Sequence, residues 1–331
     1  MKKKQKISSD DMRREITDKI ITALAKGARP WSRPWNLDPN SGLPVNIVSK
    51  KRYSGINVLL LEMNALAFGY RSKYWGTYKQ WTEMHGQVRK GQKGTAVVFY
   101  KIIEKDEPQQ DGTIKKKKIF FLRNYVVFNL DQVDGEKLDK YRVKDKPVEM
   151  PPTRIDDFML PCWEPAKKLI AATGAVIKNG GDRAYYVCPI PKGTFPNHTG
   201  GDFIQMPNQN QYPDQAEYFI TNFHELSHWS EERLHWNGKY AMNELIAEIT
   251  ACYIAEELKL PNRNMDNHNA YLAGWLKSME DDPKWIFQAS TQASKATDFL
   301  LGFNDKQNQV PSEDTEFEPS DAVEVAEQEA A

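Results

Sequence analysis

The sequence predicts an α+β chain of two domains, and three observations carry that expectation. Charge changes sign along the chain: residues 1–150 hold 31 lysines and arginines against 17 acidic residues, whereas the remainder holds 14 against 28. The first half contains two β-rich runs around a polar, lysine-rich segment, while the second is dominated by stretches of helical periodicity. With 331 residues and 40% hydrophobic content, each half is large enough to bury a core. The expected divisions are a first domain over 8–135, a linker over 136–155, a second domain over 156–302 and a disordered acidic tail over 303–331.

The elements follow in order. Ser8 to Lys26 reads as an amphipathic helix, because Met12, Ile16, Ile20 and Leu24 recur every fourth residue. Ser9 or Asp10 suits its N-cap and Gly27 stops it. Four prolines forbid regular structure over 28–46. Tyr53–Ala67 is again helical, and Lys79–Met84 forms a short helix before a turn at His85–Gly86. Thr95–Ile103 and Ile119–Asn129 are expected to pair as strands, with 104–118 as a polar hairpin loop. Residues 136–155 alternate charge and proline without periodicity and read as the linker.

The second half opens with a helix near Glu164–Thr173 and strands at Ala184–Cys188 and Asp202–Met206. Pro213 suits the first position of a helix that runs through His228 to about Arg233. Further helices are expected over Ala241–Leu260, Ala270–Met279 and Ile286–Leu301. Beyond Gly302 the chain has nine acidic residues against one lysine and few large apolar side chains, the composition of a tail that cannot form a core. Cys162, Cys188 and Cys252 are odd in number and widely spaced, which fits a reducing compartment and no disulfide framework. No apolar run reaches the length of a signal peptide or a membrane span, so a soluble, cytoplasmic protein is expected.

The strongest chemical signal is YFITNFHELSHWSEERL. His224 and His228 are four apart on a helical pattern, so both imidazoles leave one face and can share an ion. Glu225 is placed to take a proton from water at the open coordination position. The flanking Tyr218, Phe219, Phe223 and Leu226 make the helix a buried one. Two histidines there need either a metal or mutual hydrogen bonds. A hydrolytic ion needs a third protein ligand. Glu244 and Glu248, four apart in NELIAEITACYIAEEL, are the candidates, with His235 as a further option. This run resembles the glutamate-zincin arrangement. That resemblance implies Glu244 as ligand and Glu248 as the brace of a ligand histidine; the reverse assignment stays open. Zn2+ is the expected ion, with another divalent ion such as Mn2+ as the alternative. The Asp202–Met206 strand is a candidate edge for pairing an extended substrate, and Tyr240 and His235 are candidates for stabilising an oxyanion.

In the basic half, cations are interleaved with aromatics: Trp31, Arg33 and Trp35; Lys50, Lys51, Arg52 and Tyr53; Lys73 to Trp81; then Arg89, Lys90 and Lys93. Such mixtures suit single-stranded nucleic acid, where bases stack on rings and cations track phosphates. They equally suit core aromatics beside ordinary surface charge.

Longer strings narrow the choice. DMRREITDKIITALAKGARPWSRPW, YSGINVLLL, YWGTYKQW, GQVRKGQKGTAVVFYK and FLRNYVVFNLDQ resemble the N-terminal domain of ArdC-type antirestriction proteins. HELSHWSEERL and YAMNELIAEITACYIAEEL resemble the metallopeptidase domain that follows it. The resemblance spans 11–135 and most of 160–300 in the family's order. It implies a single-stranded DNA-binding domain followed by a zincin-like α+β domain, in a protein that shields DNA entering with a mobile element such as a conjugative plasmid. The expected DNA contacts are Trp31, Arg33, Trp35, Lys50, Lys51, Arg52, Tyr53, Asn57, Trp75, Arg89, Lys90, Lys93 and Arg123, and the protein substrate is unidentified. A DNA-targeted protease and a DNA-binding module with an idle or structural metal site are the competing readings.

Overall fold

A computed structural model describes residues 9–27, 29, 31, 38–108, 114–144, 161–189, 201–260 and 269–304. Arg33, Trp35, residues 145–155 of the expected linker and the acidic tail beyond Asn304 lie outside the described residues.

In the first half, α1 (Ser9–Ala25) buries Ile16, Ile20 and Leu24 of the expected stripe together with Thr17, while Met12 is partly buried. α2 (Ile56–Phe68) follows Gly55 and ends at Gly69, whose φ of 69° is the left-handed closure that glycine makes without strain. A four-stranded sheet is built from β1 (Val45–Asn46), β2 (Tyr74–Gly76), β4 (Thr95–Pro108) and β5 (Ile114–Asn129), in the order β1-β2-β5-β4. β3 (Gln87–Val88) pairs separately with β6 (Val133–Asp134). Between β2 and β3, α3 (Tyr78–Glu83) is started by a capping box in which Thr77 and Gln80 each satisfy the other's main chain.

Two expectations change here. The β4–β5 ladder runs from Thr95 opposite Val127 to Pro108 opposite Ile114, so most of 104–118 is strand, not loop. The register sets Glu104 opposite Lys118 and Glu107 opposite Lys115, so the main chain pairs along this stretch. Glu136–Tyr141, expected in the linker, is a 3-10 helix that buries Leu138 against Trp81, Leu130 and Val133.

Asn57 ties α2 to β4. Its side-chain amide donates to the Val98 carbonyl at 2.7 Å and its carbonyl accepts from the Val98 N–H at 2.8 Å. Both bonds are buried, so Asn57→Ala leaves two main-chain groups unsatisfied. It is expected to cost about 2–4 kcal/mol of stability, measured by urea unfolding.

In the second half, α4 (Glu164–Thr173) leads into a three-stranded sheet of β7 (Ile177–Asn179), β8 (Tyr185–Val187) and β9 (Phe203–Met206), ordered β7-β9-β8. β9 is therefore central, and the Asp202–Met206 segment is not an edge; the edges are β7 and β8, of which β8 lines the cleft described below. The alternate residues Ile204 and Met206 are fully buried with α5 (Gln215–Arg233). The cap of α5 is Asp214, whose carboxylate accepts from the Glu217 N–H at 2.9 Å, so Pro213 lies just outside the helix. α6 (Tyr240–Glu257), α7 (Asn269–Asp281) and α8 (Trp285–Leu301) complete the chain. No described helix is long and apolar enough to cross a membrane.

The two halves share a core. Ile20 and Leu24 of α1 and Leu59 of α2 cluster with Leu245 and Ile249 of α6 and Ile286 of α8. Polar ties reinforce the seam: the Gly55 N–H donates to Ser294 Oγ at 2.8 Å, and Lys259 Nζ donates to the Ser41 carbonyl at 2.6 Å. α6, which carries the candidate third ligand, is thus fixed against both halves.

Candidate metal centre

α5 presents two stripes. Phe219, Ile220, Phe223 and Leu226 enter the core, where Trp163 stacks on Phe219 at 5.3 Å. The partly buried His224 and His228 leave the other side, toward α6. Their Nε2 atoms lie 3.2 Å apart. Glu244 Oε2 is 3.4 Å from His224 Nε2, and Glu244 Oε1 is 3.7 Å from His228 Nε2. Among the described residues these three are the group whose ligand atoms all converge within 4.8 Å.

That spacing fits an ion. Two ligands about 2.1 Å from a tetrahedral ion sit roughly 3.4 Å apart. Burial works against the Glu244 carboxylate, but the hydrogen bond with His224 and the charge of both imidazoles outweigh it and hold its pKa below the usual range. Two imidazoles and one carboxylate form the donor set of a catalytic divalent centre with an open position.

Glu231 was missed at the level of sequence. Its Oε1 is 2.8 Å from His228 Nδ1, and its Oε2 accepts from Asn243 Nδ2 at 2.9 Å. Asn243 Oδ1 in turn accepts from Trp236 Nε1 at 3.0 Å. A carboxylate on Nδ1 fixes the tautomer that leaves the Nε2 lone pair facing the cluster. The signal was present, since Glu231 is three residues after His228 and so shares its helix face. Burial disfavours the His228 cation, but Glu231 and the neighbouring carboxylates outweigh it and raise its pKa. Glu231→Ala is expected to weaken divalent-ion binding by about 10- to 100-fold, read by equilibrium dialysis.

Glu225 is 6% exposed. Burial raises its pKa, the two imidazoles partly offset that, and the Tyr186 N–H donates to it from β8. It lines one cleft with His224, His228, Glu231, Glu244 and Glu248. Glu248 lies one turn beyond Glu244, 2% exposed and outside the converging triad. His235 does not line this cleft, but Tyr240 does, with its hydroxyl 3.2 Å from that of Tyr271. The Tyr271 contact and then burial push the Tyr240 phenol pKa up.

The candidate DNA-binding residues separate. Trp31 is 2% exposed and Trp75 fully buried, so both are core residues and neither offers a face for stacking a base. Asn57 is committed to Val98, as described above. Arg52 pairs with Asp298 and, at 3.7 Å, with Glu257, which spends its charge across the seam. Arg89 pairs with Asp134 at 3.2 Å. Tyr53 is half-buried and meets Asn46 through its hydroxyl. Lys51, Lys90, Lys93 and Arg123 are exposed, as is Lys50, which lies over two tyrosine rings.

Fold and centre together define a zincin-like metallopeptidase domain packed against an N-terminal α+β region. Residues 164–292 match the family described as zincin-like metallopeptidase, and residues 10–128 match the N-terminal domain of anti-restriction factor ArdC. The chain belongs to the ArdC family of antirestriction proteins. It is similar to the crystal structure of the antirestriction ArdC protein from plasmid R388 in its metal-free form, with 34% identity, a TM-score of 0.68, and coverage of 89% of this chain and 98% of that one. The Mn(II)-bound structure of the R388 protein gives 34% identity and a TM-score of 0.65, covering 88% of this chain and 98% of that one. An uncharacterized protein, y4eC, of Sinorhizobium fredii (strain NBRC 101917 / NGR234) is 32% identical over 88% of this chain and 91% of its own length. The DNA primase TraC of Escherichia coli is 30% identical over 95% of this chain, which spans only 29% of that protein's length.

Proposed function

We propose that this antirestriction protein binds single-stranded DNA through its N-terminal half and hydrolyses peptide bonds at the centre formed by His224, His228 and Glu244. Its place of action is the cytoplasm, where incoming DNA meets restriction enzymes. The observation that carries the peptidase reading is the placement of Glu225: a buried carboxylate on the helix turn that presents both histidines, lining the same cleft.

A divalent ion, Zn2+ or the Mn2+ found in the R388 relative, would be held by His224, His228 and Glu244 and would supply Lewis acidity toward water and a peptide carbonyl. Glu225 accepts the proton from the attacking water and returns it to the leaving amine. Glu231 holds His228 in the tautomer that faces the centre. The outer edge of β8, carrying Tyr185 and Tyr186 along the cleft, offers main-chain groups to an extended peptide. Tyr240 lines the cleft, and its hydroxyl would turn from Tyr271 to a developing oxyanion.

The test is proteolysis of an unfolded substrate such as casein by the Zn2+- and Mn2+-loaded full chain, with and without single-stranded DNA. Cleavage that needs the ion supports the reading. Cleavage only in the presence of DNA would favour the DNA-targeted protease. DNA binding with no cleavage under any condition would instead leave a DNA shield with an idle centre.

A further inference from the structure

Away from the metal centre, three remote segments bring lysines around a pair of tyrosines. Tyr74 of β2 and Tyr141 at the end of the 3-10 helix lie edge to face, with centroids 5.2 Å apart and planes at 68°. Lys50 Nζ sits between them, 4.9 Å from the Tyr74 ring and 4.1 Å from the Tyr141 ring. Lys73 Nζ is 5.6 Å from Tyr74 and Lys140 Nζ is 5.0 Å from Tyr141. Lys50 and Lys140 are exposed and both rings are half-exposed. Among the described residues, none of the three lysines forms an ion pair.

Core packing does not require this arrangement. One cation would satisfy the two ring faces, and three ammonium groups around them repel one another. Lys50 also adopts a φ of 59°, a left-handed conformation that costs free energy in any residue with a Cβ. The turn that imposes it is over-determined: Asn46 Oδ1 accepts from the N–H groups of Val48 at 3.1 Å and Ser49 at 3.0 Å, and the Lys50 N–H closes on the Asn46 carbonyl at 2.9 Å. The 3-10 helix is pinned as well, since Asn40 Nδ2 donates to the carbonyls of Lys140 at 3.2 Å and Arg142 at 3.1 Å. Clustered lysines, two of them also meeting the Tyr141 hydroxyl, and a strained backbone therefore coincide on a rigid platform, with Asp38 near Tyr74 as the acidic neighbour.

We propose that Lys50, Lys73, Lys140, Tyr74 and Tyr141 form a binding subsite for single-stranded DNA, in which the ammonium groups hold adjacent phosphates and an unpaired base packs on the exposed tyrosine edges. This inference rests on the single-stranded DNA reading given above and assigns it a place. An unpaired base is the complement because its face is free to meet a ring, whereas duplex bases are stacked on one another.

The test measures binding of a labelled oligothymidylate to the full chain by fluorescence anisotropy across a salt series. The variants are wild type, Lys50→Ala/Lys73→Ala/Lys140→Ala, and a control, Lys168→Ala/Lys277→Ala/Lys295→Ala, in the other half. Each phosphate contact to a single strand contributes about 0.7 to the slope of log K against log salt, so the first triple variant should lose about 2 from that slope while the control loses none. The exposed single variant Lys140→Glu, read with the melting temperature to show that the fold is kept, repeats the test at one position.

Wild-type binding with an unchanged slope in both patch variants would overturn the subsite and leave the DNA reading standing. Failure of the wild type to bind would overturn both. Equal losses for single-stranded and duplex DNA would overturn the base-packing assignment.

Discussion

Glu225→Gln is expected to keep a full complement of divalent ion while losing about 10²- to 10⁴-fold in peptide hydrolysis. The substitution preserves shape and leaves His224, His228 and Glu244 in place, but glutamine cannot take a proton from water. Metal content by mass spectrometry and turnover on a fluorogenic peptide separate the two effects. Loss of the ion in Glu225→Gln would mean that the carboxylate is itself a ligand. Unchanged turnover would remove it from the chemistry altogether.

Glu244→Ala is expected to lose the ion, with affinity falling by more than about 100-fold, because direct ligands matter more than the residues bracing them, whose loss costs about 10- to 100-fold. The reason is geometric: Glu244 approaches both histidines, at 3.4 and 3.7 Å, so its removal opens one side of the triad. Glu248→Ala is the paired measurement. Lying outside the triad, it should retain the ion more tightly than Glu244→Ala. If the order is reversed, Glu248 is the ligand. Isothermal titration with Zn2+ and with Mn2+ reads both variants directly.

The sequence by itself determined what depends on local spacing. Four residues on a helix fix the relative direction of two side chains, so His224 and His228 could be placed on one face, with Glu225 beside them, from their order alone. The same rule located α1, α4, α5 and α8 closely, because each carries an apolar stripe of period near 3.6. It failed for β1, β2, β3, β6 and β7, which are two or three residues long and show no period. It also placed a loop where β4 and β5 continue, because a run of charged and polar residues carries no strand signal of its own and the ladder is set by main-chain pairing with a partner.

The tertiary structure decided every question of long-range contact. It brought Glu244, sixteen residues beyond His228, onto both imidazoles through the packing of α6 on α5. It made β7 and β8 the edges and β9 the centre, an order that sequence adjacency does not encode. It buried Trp31 and Trp75, aromatics that composition alone assigns to DNA as readily as to a core. It also drew Lys50, Lys73 and Lys140 around Tyr74 and Tyr141 from three separate segments. The physical reason is the same in each case: backbone geometry orients neighbours along the chain, whereas contacts between distant segments follow from which apolar faces exclude water together.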